Sequence, residues 1–264
     1  MGGGRWGSER ARLHMRATGI DISYAQATYK PQPWHSFVMI RATYGKRTDK
    51  RFIQHLDSTK AEQRIIATHY LKSPDINSID EQVDTLANLI RGLDISAVAC
   101  DFEKYYNTKS KDFALGAEKF CKDISDKLGM RCLLYSSPSV IQEWMYPYGL
   151  YWARDYEDLW IAQWPYNGWN ESLTQIPSGL YGWEPRLPAG VNTGKYWQYS
   201  GEHNIQGSVQ GVSSRDCDLN VFNGTREEMD KWFGLSVSQS IEDTWYKKGW
   251  NAAAMVANEA WTKN

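Results

Sequence analysis

Two carboxylates, Asp101 and Glu103, directly follow the apolar run 98–100. On a strand, residues two apart point to the same face, so these acids would lie side by side. Neighbouring carboxylates repel each other and resist burial, so the pair must stay solvated or be used. Paired acids suit glycosidic hydrolysis, in which one carboxyl protonates the leaving oxygen and another stabilises or attacks the sugar cation. They also suit the binding of Mg²⁺ or Ca²⁺.

Apolar runs of strand length recur along the chain and must position these acids. Segments with helical periodicity lie between several of these runs, at 49–63, 78–93, 110–129 and 137–145. This alternation indicates a parallel α/β sheet, whereas the last three runs have no clear helix between them. We therefore predict an α/β fold, an irregular TIM-like (β/α)5(β)3 barrel. The eight strand-like runs are 19–23, 37–43, 64–71, 97–103, 131–137, 159–164, 196–200 and 216–222.

Local signals mark several helix ends. Ser137 and Pro138 are typical of a helix start, and Gly129 suits the position just after a helix end. Ser78 and Glu81 fit a capping box at the start of the second helical segment.

Polar residues end every predicted strand, and active sites of parallel barrels lie at the carboxyl ends of the strands. Four of these residues are acids, Asp21, Asp101, Glu103 and Asp218, and we expect them to surround one pocket. Arg41 in the same mouth supplies positive charge and so disfavours a metal site. The chain's 13 Trp and 16 Tyr suit a groove that binds sugars. The candidate substrate-binding residues are Arg41, His69, Tyr70, Tyr135, Trp164 and Gln198.

The sequence resembles glycoside hydrolase family 25, the lysozymes that cut bacterial peptidoglycan. The resemblance rests on GIDISYAQ, FVMIRATYG, HYL, DFE, LWIAQW and KYWQYS followed by DCDLNVF, in the family's order and spacing over about residues 18–223. It implies the same irregular barrel and cleavage of the β-1,4 bond between N-acetylmuramic acid and N-acetylglucosamine. Two positions depart from the family: Tyr44 stands where its K-A-T-E-G run has an acid, and Thr68 where it often has Tyr.

The resemblance also implies roles for the four acids. Glu103 would be the general acid, and Asp101 would stabilise the oxocarbenium-like centre or orient the N-acetyl group. Asp21 matches the first-strand GxD motif and Asp218 the last-strand DLN motif, and both would tune the charge of the site. We expect the three Asp residues to raise the pKa of Glu103 by repulsion.

Composition argues against several other classes of protein. A formal net charge of −1 gives no overall attraction to nucleic acid or to membranes. No run approaches the roughly 18 apolar residues of a membrane span. The four Cys form no CxxC pair, which argues against a zinc site and favours small buried thiols in a reduced compartment. We expect neither a metal nor another cofactor.

Three segments divide the chain. Residues 1–17 form a basic, Gly-rich N-terminal arm, residues 18–223 the catalytic barrel, and residues 224–264 a C-terminal helical extension. The arm is either a mobile tail or a docking segment. The extension either packs on the barrel or docks to a partner.

The N-terminus lacks the apolar stretch of a Sec signal, and this pattern favours a phage product. Such a protein would be an endolysin that passes from the host cytoplasm to the cell wall, or a virion component that docks to virion proteins through the arm or the C-terminal helix. In either case bacterial peptidoglycan is the expected partner. The alternative is a non-catalytic virion or cell-wall-binding protein that uses the barrel for glycan recognition. A third hypothesis is a metal-dependent hydrolase.

Overall fold

The structure is a computed structural model that describes residues 16–72, 77–104, 109–164, 184–201 and 207–235. Nearly all of the predicted N-terminal arm, and the part of the C-terminal extension beyond residue 235, lie outside these residues. No helix within the described ranges is long and apolar enough to cross a membrane.

Nine strands in the described part of the chain form one sheet in the order β1-β9-β8-β7-β6-β5-β4-β2-β3. A further pairing of β1 with β2 closes eight of them into a barrel, and β3 is a short hairpin partner of β2. β9 runs antiparallel to both of its neighbours, whereas the other barrel pairs are parallel. The strands are β1 Arg16–Ile22, β2 His35–Tyr44, β3 Arg47–Thr48, β4 Arg64–Tyr70, β5 Ala97–Asp101, β6 Cys132–Ser136, β7 Leu159–Ala162, β8 Tyr196–Ser200 and β9 Asp218–Thr225.

Helices connect the parallel strands and cover the outside of the barrel. The predicted irregular α/β barrel is confirmed: a helix follows the β2–β3 hairpin and each of β4, β5 and β6, whereas β1 leads to β2 without a helix, and β7, β8 and β9 succeed one another without a helix in the described residues. The α-helices are α1 Phe52–Asp57, α2 Asn77–Ile90, α3 Lys111–Leu128, α4 Pro138–Trp144 and α5 Arg226–Trp232. Two short 3-10 helices, Tyr146–Tyr148 and Trp152–Arg154, lie between α4 and β7.

Two hydrophobic clusters follow from the two-residue period of the strands. The inner cluster fills the barrel with side chains such as Phe37, Met39 and Trp160. The outer cluster joins the opposite strand faces to the helices. On β5 the small residues Ala97 and Ala99 belong to the inner cluster, so Asp101 continues the inward-facing row at the barrel mouth.

The helix ends follow local chemistry, with one exception. Gly129 ends α3 in the left-handed conformation at φ 67°, and the Ser137 side chain caps α4 while Pro138 occupies its first turn. The capping box expected at Ser78 is wrong, because α2 already includes Asn77 and Ser78 lies inside its first turn.

α5 closes the amino-terminal end of the barrel. Thr225 caps it in a capping box with Glu228, and Met229 packs against the inner cluster. Asp230 accepts hydrogen bonds from Arg64 on β4 at 2.6 Å and from Arg226 at 2.9 Å. The first residues of the predicted C-terminal extension are therefore part of the barrel's packing.

Candidate active site

Neighbouring strands bring their polar ends together at the carboxyl end of the barrel. Asp21 on β1 lies opposite Asp218 on β9, and Tyr70 on β4 lies opposite Asp101 on β5. Asp101 in turn lies opposite Tyr135 on β6. The closure of the sheet therefore places residues from both ends of the sequence around one mouth.

Asp21 and Asp218 form a carboxyl pair across β1 and β9. The two residues are direct neighbours in the strand register, and their side chains share a hydrogen bond. Burial raises the pKa of Asp21 above its usual value, and its hydrogen bonds oppose this effect. A hydrogen bond between two carboxyl groups requires one proton, so this pair holds a proton more readily than two isolated Asp residues would.

Two side-chain amides donate to the same oxygen of Asp21. The Nε2 of Gln198 lies 3.1 Å and the Nδ2 of Asn220 lies 2.6 Å from Oδ2 of Asp21. Trp160 Nε1 donates to Oδ1 of Asn220 at 2.8 Å. An indole N–H can only donate, so it fixes the carbonyl of Asn220 toward Trp160 and the amide donor toward Asp21.

Gln198 is oriented in the same way by two aromatic donors. The hydroxyl of Tyr135 donates to Oε1 of Gln198 at 2.9 Å, and Trp164 Nε1 donates to the same oxygen at 3.2 Å. The Nε2 group of Gln198 is therefore directed at Asp21. This chain of bonds connects the rim of the mouth to a carboxylate at its base.

Asp101 and Glu103 lie on the other side of the mouth, at the end of β5 and just beyond it. Oδ1 of Asp101 is buried and has no hydrogen-bond partner among the described residues. Burial raises the pKa of Asp101 well above its usual range, and the charge of Glu103 raises it further. The positive charge of Arg41 acts in the opposite direction.

The electrostatic environment of Asp101 shows that the four acids are close together. The charges of Asp21 and Asp218 act on Asp101 in addition to that of Glu103. The same four carboxylates act on the Tyr135 hydroxyl, whose pKa is raised well above its usual value, first by burial. The structure therefore brings together all four acids that the sequence analysis selected.

Arg41 lies at the mouth and is held by an acid that the sequence analysis missed. Its Nε donates to Oδ2 of Asp49 at 3.0 Å, and the side chain of Asp49 is only 1% exposed. Asp49 also accepts from the backbone N–H of Tyr24 at 3.1 Å. The only signal in the sequence is that Asp49 is the one acid in the basic run 41–51.

His69 does not reach the mouth, so its predicted role in substrate binding is wrong. Its ring is fully buried, stacks on Phe120 of α3 and forms hydrogen bonds with Thr43 at 2.7 Å and Gln82 at 2.9 Å. Burial lowers its pKa to about 4, so the imidazole is neutral at physiological pH. Ile66 faces the inside of the barrel, and so do the alternate residues that follow it on β4, up to Tyr70. His69 therefore faces the helices outside the barrel.

The aromatic candidates occupy different positions. Tyr70 is half-buried and stacks on Tyr44 with 4.8 Å between ring centroids. Trp164 is 44% exposed at the rim and so offers a ring face to a ligand. Trp197 faces the helix layer, as strand parity indicates, and its Nε1 donates to the carbonyl of Gln163 at 2.7 Å.

The cysteine side chains, which could bind a metal ion, lie in the outer hydrophobic cluster and not at the mouth. The four cysteines are buried thiols. No group of three or more His, Cys, Asp or Glu in the described ranges has the arrangement needed to hold a metal ion.

A closed α/β barrel with four acids and an arginine at its carboxyl end is the arrangement of a carboxylate-dependent glycoside hydrolase. The comparison of sequences agrees with this class. The sequence profile described as glycosyl hydrolases family 25 matches residues 17–208, and the chain belongs to this family. No curated protein matches the chain by sequence.

Solved structures share the fold at low sequence identity. The catalytic domain of the endolysin ply40 from a Listeria monocytogenes bacteriophage aligns with a TM-score of 0.61 and 19% identity, over 84% of this chain and 98% of that one. A family 25 glycosyl hydrolase from Bacillus anthracis aligns with a TM-score of 0.59 and 18% identity, over 85% and 95% of the two chains. The lysozyme from Streptomyces coelicolor aligns with a TM-score of 0.58 and 21% identity, over 79% and 93%.

Proposed function

We propose that this protein is a peptidoglycan hydrolase that cleaves the β-1,4 bond between N-acetylmuramic acid and N-acetylglucosamine. The observation that carries the proposal is the convergence of the charges of Glu103, Asp21, Asp218 and Arg41 on Asp101. Structural neighbours named as a lysozyme and an endolysin support it. The pneumococcal autolysin LytC, solved with a synthetic peptidoglycan ligand, also shares the fold (TM-score 0.54, 16% identity, 78% of this chain and 46% of that one).

In the proposed reaction Glu103 acts as the general acid. It gives its proton to the glycosidic oxygen while the bond from that oxygen to the anomeric carbon breaks. Water then adds to the anomeric carbon, and its proton returns to Glu103. The repulsion among the neighbouring carboxylates favours retention of the transferable proton within the group.

Asp101 would act on the sugar rather than on the leaving group. Its buried Oδ1 is an acceptor without a partner in the described structure, which suits the N–H of an acetamido group. A fixed acetamido group can present its carbonyl oxygen to the anomeric carbon and so assist the departure of the leaving group. The Asp21–Asp218 pair would stabilise the positive charge that develops on the sugar.

We further propose that the enzyme serves a phage, either in cell lysis or in wall penetration. Its support is the fold shared with the bacteriophage endolysin ply40. Passage from the host cytoplasm to the wall, or transport in the virion, belongs to this proposal. Docking to virion proteins through residues 1–17 or the C-terminal helix stays a prediction, because residues 1–15 and 236–264 lie outside the described residues.

The decisive experiment follows the turbidity of purified cell walls and the muropeptides released from them. Glu103→Gln removes the transferable proton at nearly constant volume, and we expect the clearing rate to fall at least roughly 100-fold. Glu143→Gln is the matched control, because Glu143 is an exposed acid whose ion partner is Lys104 at 3.5 Å. Mass analysis of the wild-type products should find N-acetylmuramic acid at the new reducing ends.

Other outcomes would favour the alternatives. Wall binding without clearing by the wild type would support a non-catalytic glycan-binding protein. Clearing that EDTA abolishes would support a metal-dependent hydrolase. If the Glu103→Gln variant cleared cell walls as fast as the Glu143→Gln control, Glu103 would not be the general acid.

A further inference from the structure

A strongly basic stretch borders the mouth on the β2 side. Residues 41–51 contain five basic side chains and one acid, although the whole chain has a net charge of −1. The stretch starts at the carboxyl end of β2 and includes β3, so it belongs to the active-site end of the barrel. We call its exposed part, with the neighbouring loop residues, the basic rim: Tyr24, Arg41, Tyr44, Arg47, Lys50 and Lys72.

The one acid in this stretch serves to hold the rim in place. Asp49 is buried and binds Nε of Arg41 and the backbone N–H groups of Tyr24 and Arg51, at 3.0, 3.1 and 3.0 Å. The two Nη groups of Arg41 form no hydrogen bond within the described residues. Arg41 is therefore a guanidinium held through its Nε, and its two terminal nitrogens can bind a carboxylate in two places.

Two tyrosine rings keep further cations beside this arginine. The Cζ of Arg41 lies 4.9 Å from the ring centroid of Tyr24 and 5.7 Å from that of Tyr44. The Nζ of Lys50 lies 5.1 Å from the Tyr24 centroid, and the Nζ of Lys72 lies 3.7 Å from the Tyr44 centroid. Cation–π attraction of this kind holds the cationic side chains beside the two tyrosine rings.

Position 44 contributes no negative charge to this rim. Tyr44 stands where the family's K-A-T-E-G run has an acid, and an acid there would lie against Lys72 and Arg41. Arg47 is exposed and lies opposite Tyr44 in the hairpin, so the two side chains share a face. Lys46 pairs with Glu81 at 2.8 Å and is not counted in the basic rim.

The rim lies a short distance from the catalytic acids. Tyr44 is the register neighbour of Tyr70, and Tyr70 is the neighbour of Asp101. Two strand spacings, about 10 Å, therefore separate the tyrosine of the rim from Asp101. A sugar bound at the acids would present its substituents to the rim.

We propose that the basic rim binds a carboxylate of the substituent that muramic acid carries, the lactyl-linked stem peptide, next to the bond that is cut. This inference rests on the proposed hydrolysis of peptidoglycan and adds to it the anionic group that the enzyme recognises. Arg41 binds the carboxylate directly. Arg47, Lys50 and Lys72 increase the local concentration of anionic chains.

The experiment measures the affinity of soluble, uncross-linked peptidoglycan chains in a Glu103→Gln background, so that binding is read without cleavage. We expect Lys50→Gln together with Arg47→Gln to weaken binding roughly three- to tenfold, the range for two partly screened surface charges. Tyr44→Glu should weaken it at least as much, whereas Tyr44→Phe, which keeps the ring, should not. Lys122→Gln, which removes an exposed cation from α3, is the charge control.

Chemically altered chains identify the anion. Chains treated with hydrofluoric acid have lost their phosphodiester polymers and should show the same loss of affinity in the variants. Chains whose carboxylates have been amidated should bind wild-type and variant proteins equally.

Three results would overturn the inference. The first is equal affinity of the Lys50→Gln/Arg47→Gln variant and the Lys122→Gln control. The second is a loss of affinity in the rim variant that disappears when the chains have been treated with hydrofluoric acid. The third is a loss of affinity in the rim variant that persists on amidated chains. Cleavage by the protein with its natural Glu103 is measured separately, so a failure of the proposed function is recognised independently of these affinities.

Discussion

Asp21 depends on neighbours whose own orientation is fixed. Asn220 and Gln198 could each present either end of an amide, and the indole donors of Trp160 and Trp164 decide which end faces the acid. Burial favours the neutral form of Asp21, while the two amide donors favour the ionised form. Its protonation in the pocket is therefore set by a balance that a single substitution can change.

Asn220→Ala tests this balance. The substitution removes the 2.6 Å hydrogen bond to Asp21, so the pKa of Asp21, already raised by burial, should rise further. If catalysis uses ionised Asp21, the acid limb of the kcat/KM profile moves to higher pH. A lost hydrogen bond to a charged group predicts roughly tenfold lower activity on that limb.

The control for this variant is Asn223→Ala. Asn223 lies on the same strand, but its amide donates to the carbonyl of Gly194 at 3.1 Å, toward the other end of the barrel. Its pH profile should match that of the wild type. Superimposable profiles for Asn220→Ala and Asn223→Ala would show that Asn220 does not set the ionisation of Asp21 during catalysis.

At the level of elements, the close approach of β1 and β2 positions Asp21. Gly19 lies two residues before Asp21 on the same face of β1. A Cβ at position 19 would lie 2.5 Å from both the ring and the carbonyl oxygen of Phe37. Because the carbonyl belongs to the backbone of β2, the two strands could not accept a side chain here without moving apart.

Gly19→Ala should therefore destabilise the barrel. Forced overpacking of this kind costs roughly 1–3 kcal/mol of unfolding free energy, measured as a lower midpoint in urea denaturation. Thr85→Ala on the outer surface of α2 is the control and should remain within about 0.5 kcal/mol of the wild type. An unchanged midpoint for Gly19→Ala would mean that β1 and β2 are not packed as closely as the structure has them.

For the whole molecule, buried ionisable groups have opposite effects on how folding stability depends on pH. The raised pKa of Asp101 means that the native state keeps a proton which the unfolded chain has lost. Stability from this group is thus present below the unfolded value, about 3.9, and is lost as pH rises through the native pKa. His35 and His69, with pKa values lowered to about 4, act in the opposite direction. Their contribution to stability grows as the pH rises from about 4 to 6.5, and it is lost as the pH falls through this range.

Asp101→Asn separates these contributions. The variant has no carboxylate to ionise at this position, so it should be more stable than the wild type at pH 7 and nearly equal to it at pH 4, with a difference that grows as the pH rises. Urea denaturation at pH 4, 5.5 and 7 measures the difference. A constant difference across this range would show that the pKa of Asp101 is not raised in the native state, and wall clearing by the same variant reports its catalytic role separately.

Much of the fold and of the acid cluster follows from local patterns in the amino-acid sequence. The succession of apolar runs and helical periods predicted the barrel, because each period reflects local backbone geometry. The polar ends of the predicted strands selected Asp101 and Asp218 for the mouth of the barrel, since parallel barrels place their sites at the carboxyl ends of the strands. The capping box of α5 at Thr225 and Glu228 was also present in the sequence and was overlooked.

The faces of β4 and the partner of Arg41 depend on contacts between distant parts of the chain. Strands of a parallel barrel are buried on both faces, so β4 shows no clear alternation and the sequence could not assign His69 to the outer layer. Asp49 holds Arg41 because a hairpin folds it back against β2, a contact that no local pattern marks. Likewise Asp21 meets Asp218 only because the sheet closes, since closure joins residues that are far apart in the chain.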